Sequence, residues 1–120
     1  MTSTSGSLKI MRRKLKRTPE AIVVSVEALD IGRAMLKFIR SDSREFQSSE
    51  QALEILQKWI EGSASVAECR ASAFNVHEMA RQCSDSREQN ALRSIGHAVA
   101  TAHVSSHLKA CKEYSVKVLP

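Results

Sequence analysis

Glycine and proline are scarce, with 4 and 2 in 120 residues. That leaves too few turn formers for the closely spaced strands of a sandwich or barrel and favours long helices. Aromatic residues are also few, one Trp, one Tyr and three Phe, which offers little stacking surface to nucleic acid. No long apolar run is present. Ala21-Ile-Val-Val-Ser-Val26 follows a basic stretch, but Glu27 and Asp30 end it well short of a secretory core or of the roughly 20 residues a membrane span needs. Three cysteines, Cys69, Cys83 and Cys111, are odd in number and widely spaced; they do not fit a disulfide framework, and reduced thiols in a cytoplasmic protein are expected.

The signatures of common catalytic sites are missing too. The chain has no glycine-framed serine elbow, no cysteine-protease signature, no G-x-G-x-x-G or Walker loop, and no H-x-E with a C-x-x-C pair. Nucleophilic catalysis needs a base and an orienting group beside the nucleophile. The expectation is a protein that is not an enzyme and carries no cofactor.

What is present begins with charge. The net charge of +5 resembles a nucleic-acid signal until it is placed along the chain. Lys9, Arg12, Arg13, Lys14, Lys16 and Arg17 precede any acidic residue, which leaves 12 of the 18 basic residues against 13 acidic ones in the remainder. The basicity therefore belongs to an appendage and the rest is nearly neutral, so nucleic acid is not expected as the main partner. Residues 1–17, polar and then basic, read as a flexible tail that buries no apolar area. Residues 18–120 read as one helical domain, since a chain of this size supports a single core.

Within that domain, Thr18 can cap a helix and Pro19 suits its first position. Val24, Ala28, Ile31, Met35 and Phe38 form one stripe beside a second of Ile22, Val26, Leu29, Leu36 and Ile39, so a broadly buried helix is expected to run to about Arg40. Ser41 to Phe46 reads as a loop. Ser48-Ser-Glu-Gln51 has capping-box spacing and is expected to open a second helix, with Ala52, Ile55, Leu56, Trp59 and Ile60 toward the core and Gly62 as its left-handed end. Ser65-Val-Ala-Glu68 repeats the box before a third helix carrying Val66, Cys69, Ala73, Val76, Ala80 and Cys83 at 3–4 spacing.

After Ser84-Asp-Ser86, one helix from about Arg87 to Val118 would be roughly 48 Å long. Its stripes, Leu92, Ile95, Val99 and Ala102 and then Val104, Leu108, Cys111 and Val118, fall on nearly opposite sides. Either Ser105-Ser106 starts a new helix or one helix is buried on both sides. The fold class is an all-α compact bundle of four to five helices.

His103, His107 and Cys111 stand at i, i+4 and i+8, and His at i, i+4 can aim two imidazoles at one zinc ion. The phase drifts by about 40° per step, so a shared metal would need help from another helix, through His77 or Cys69. The expected role of the three is structural, in packing or hydrogen bonding, and no metal is expected.

Residues 84–119, SDSREQNALRSIGHAVATAHVSSHLKACKEYSVKVL, resemble the C-terminal helices of a family of bacterial putative immunity proteins. In that family an "aGHAvATAHv..H" run is followed by a "Ya.Ka" pattern, matched here by Gly96–His107, Tyr114 and Lys117. Ala71 to Arg81 resembles the family's "aa..aH.aAr" helix. Asp42-Ser-Arg44 and the Ala52 to Gly62 segment with Trp59 resemble its D-x-R-P and "aie..r.W..G" patterns, without the proline. The resemblance implies a cytoplasmic inhibitor that binds and neutralises a cognate toxin protein. Asp42, Arg44 and Phe46, a charged pair flanking an aromatic outside any helical stripe, are then the candidate partner-binding residues. The alternative is a small helical regulator or nucleic-acid accessory protein that uses the basic tail, and deleting residues 1–17 separates the two.

Overall fold

A computed structural model describes residues 17–119. The expected flexible tail lies outside the described residues except for Arg17. Five α-helices follow in order: α1 Pro19–Met35, α2 Arg44–Glu61, α3 Val66–Gln82, α4 Ser86–Ala100 and α5 His107–Val118. No strand occurs among the described residues. The chain is an all-α bundle.

Helix α1 starts as the sequence indicates. Thr18 accepts a hydrogen bond from the Ala21 N–H at 3.2 Å, with Pro19 in the first turn. It stops at Met35, before the expected end near Arg40, and Leu36–Phe38 tighten into a 3₁₀ turn. Ile39 then adopts an extended conformation and is 4% exposed. Continuing the helix would have carried Ser41-Asp42-Ser43, three poor helix formers, into its last turns. The breadth of its buried face is also less than expected. Ser25, Ala28, Leu29, Gly32 and Met35 face the core, while Val23 and Val26 are 67% and 43% exposed. Small residues centre the face because neighbours come close: a Cβ on Gly32 would lie 2.6 Å from Leu53 Cδ2.

Helix α2 begins five residues earlier than the Ser48–Gln51 box implies. Its cap is Ser43, whose Oγ accepts from the Phe46 N–H at 3.1 Å. No breaker separates Ser43 from Ser48, so the first competent cap opens the helix and the later serines become interior positions. Phe46 is therefore a first-turn residue of α2, half-buried and packed on the core, not a loop aromatic outside any stripe. The helix ends at Gly62, which takes φ 92° and donates to the carbonyls of Lys58 and Trp59. Arg17 covers this end by donating to the carbonyls of Trp59 and Ile60 at 3.2 and 3.1 Å.

The Ser65–Glu68 box is present at α3: Ser65 Oγ accepts from the Glu68 N–H at 3.0 Å, and Glu68 accepts from the Ser65 N–H at 3.3 Å. Asp85 caps α4 by accepting from the Glu88 N–H at 2.8 Å. Helix α4 is the axis of the bundle and packs against all four others. Ala91, Leu92, Ser94, Ile95, Gly96, Ala98, Val99 and Ala100 are buried on it, and the small members let helices approach on several sides.

The 87–118 segment resolves as two helices separated by turns from Thr101 to Ser106. Folding α5 back along α4 brings both apolar stripes inward, leaving Val104 at the turn 42% exposed. Ser94 Oγ donates to the Cys111 carbonyl at 2.9 Å between the paired helices, and a Ser25–Thr101 hydroxyl contact of 2.9 Å ties α1 to the end of α4.

Candidate functional site

Three helices bring imidazoles together. His77 comes from α3, His97 from α4 and His107 from α5. His77 reaches α4 because position 96 has no side chain: a Cβ there would lie 2.6 to 2.9 Å from three atoms of the His77 ring. The His77 and His97 rings meet edge to face with centroids 4.6 Å apart. His97 and His107 stack at 5.2 Å, with their Nδ1 atoms 3.0 Å apart. One of these nitrogens donates and the other accepts, so the pair shares a proton as two neutral rings or as one cation beside a neutral ring.

Tyr114 extends the column, nearly parallel to His97 with centroids 5.5 Å apart. Two cations lie against the tyrosine ring, Lys117 Nζ at 4.8 Å and the Arg93 guanidinium at 5.9 Å. The helical spacing explains the convergence. Arg93 and His97 are one turn apart on α4, and His107, Tyr114 and Lys117 lie along the matching side of α5.

The surroundings disfavour protonation of His77 and His97. Burial lowers His77 to about 4, with smaller contributions from the positive charge of His97, Arg93, His107 and Arg81. His97 is lowered in the same direction, first by burial, then by His107 and Arg93, with Glu113 opposing. Both shifts favour the uncharged ring, which offers one N–H donor and one acceptor nitrogen. The two buried thiols are not primed as nucleophiles. Cys111 is fully buried and its pKa is raised by burial, and burial pushes Cys69 up to about 12. The arrangement is suited to recognition through N–H donors, stacked rings and two fixed cations.

The His103, His107 and Cys111 series is not brought together, because the chain turns between α4 and α5. His103 faces Arg70, whose Nη2 donates to Nδ1 at 3.0 Å. His107 joins the imidazole cluster, and Cys111 sits inside the α4–α5 interface beside Ser94. Among the described residues, no group of three or more His, Cys, Asp or Glu side chains is placed to hold a metal ion.

Asp42 and Arg44 are exposed at the entrance to α2. Arg40 and Glu45, which flank them in the chain, line a polar cleft of about 450 Å³ together with Met79, Gln82, Cys83, Ser84, Asp85 and Glu88. Phe46, beside them, is half-buried and packs against the core.

Sequence reasoning on chemistry alone passed over Arg93, His97 and Tyr114. A signal was available in the stretches that carry the family resemblance: their polar and aromatic members His77, His97, His107, Tyr114 and Lys117 meet in this one cluster. Compared with known families, residues 22–120 match the model of a family described as Imm-5 like putative immunity protein. No curated protein and no solved structure in the comparison matches the chain.

Proposed function

Since the chain belongs to the Imm-5 like putative immunity protein family, we propose that it binds a cognate bacterial toxin in the cytoplasm and neutralises it as a stoichiometric inhibitor. The observation that carries this reading is the family match, which spans all five helices but for the first residues of α1. The site is compatible with it. Burial disfavours the charged forms of His77 and His97, and the rings and cations of the site are of the kinds that concentrate binding energy at interfaces. Asp42 and Arg44 are offered as a second contact region, exposed beside the polar cleft at the α3–α4 turn.

Inhibition of this kind requires an interface of about 1,200–2,000 Å² in total, so several surface patches contribute. The test is co-expression with the toxin domain encoded beside this gene. The inhibitor restores growth and co-purifies with the toxin; a chain that does neither is not its immunity protein.

A further inference from the structure

The surface over α4 and α5 has an unusual charge balance. Arg93 is half-buried and Lys117 exposed, and both lie over the ring of Tyr114. Among the described residues neither makes an ion pair; the two salt bridges present are Glu78 with Arg81 and Glu27 with Lys112. The second of these neutralises Lys112, the nearest lysine on α5 toward its N-terminus. The imidazoles beneath contribute ring nitrogens, with Nδ1 of His97 and Nδ1 of His107 3.0 Å apart. On this face Glu113 is the carboxylate that acts on His97, and it is exposed.

We infer that this face, formed by Arg93, His97, His107, Tyr114 and Lys117, is the contact surface for an acidic segment of the toxin. The inference rests on the toxin-binding reading above and adds where the toxin sits and what chemistry it presents. Charge complementarity identifies the occupant. Two cations fixed against one aromatic ring, neither of them in an ion pair among the described residues, gain most from an incoming Asp or Glu. A carboxylate meeting a guanidinium forms short charge-assisted hydrogen bonds, bidentate where geometry allows. The rings of His97 and Tyr114, already parallel, supply a rigid surface that is ordered before binding and so loses little freedom on contact. Arg and Tyr at the centre of a patch are the residue types in which interface energy concentrates.

The full chain and the toxin domain encoded beside its gene are compared by titration calorimetry and stopped-flow association. Arg93→Glu combined with Lys117→Glu should weaken binding at least about tenfold with the helical melting transition retained. Glu113→Lys, which adds positive charge to the same face, should speed association by a factor of about two or more at low salt. Affinity within twofold of the unsubstituted chain for a folded double variant overturns the inference and leaves the immunity reading standing. If the double variant does not fold, Glu113→Lys decides: faster association supports the acidic occupant, and unchanged or slower association overturns it. Failure of the unsubstituted chain to bind removes the immunity reading and this inference together.

Discussion

Trp59 is the largest side chain sealed in the core, 1% exposed between α2 and its neighbours. Its truncation to alanine should cost about 3–5 kcal/mol, because the cavity adds to the lost transfer energy. A urea melt with an unchanged midpoint would contradict that packing. His77 makes a different demand. Its pKa is lowered from 6.5 in the free side chain to about 4, so the unfolded chain takes up a proton more readily than the folded one. The associated stability is complete above pH 6.5 and is lost progressively as pH falls toward about 4. His97 acts in the same direction. The melting temperature should therefore drop between pH 7 and 4.5 more steeply in the native chain than in His77→Gln, and parallel curves would show that burial at His77 does not control acid sensitivity. These residues also show where sequence reasoning stops. Trp59 was legible because its stripe has helical period, whereas His77 lies beside His97 only because Gly96 lets two helices touch, and one sequence does not reveal which helices are neighbours.

At the level of elements, caps and turns were readable wherever the signal was local. Thr18-Pro19, Gly62 and Ser65–Glu68 mark boundaries that the structure reproduces, since each satisfies backbone groups within a few residues. The start of α2 was misplaced because two serine clusters compete and periodicity does not rank them. A pair of substitutions separates them: Ser43→Ala should cost about 1 kcal/mol by removing the hydroxyl acceptor at the first turn, and Ser48→Ala, inside the helix, should be close to neutral. Equal costs in thermal denaturation would move the cap back to the second cluster. Helices α4 and α5 illustrate the same limit in reverse. Their opposed stripes were visible, but only the turn from Thr101 to Ser106 explains how both face inward. The i, i+4 relation of His103 and His107 dissolved with it, and with it the geometry that would aim both at one ion.

For the molecule as a whole, the fold class followed from composition and periodicity, and the match over residues 22–120 places the chain in the Imm-5 like putative immunity protein family. The contact surface was not legible, since a binding face has much the same composition as any other solvated surface. The surface inferred above emerges only when α3, α4 and α5 assemble a column of rings with two cations against it. The measurement that tests neutralisation by binding most directly is a titration of toxin activity with this protein, using the toxin domain encoded beside its gene. Stoichiometric binding predicts that activity falls linearly and disappears near one equivalent, returning when the complex is dissociated. Undiminished activity at excess protein, or complete loss at a small fraction of an equivalent with time-dependent turnover, would contradict it.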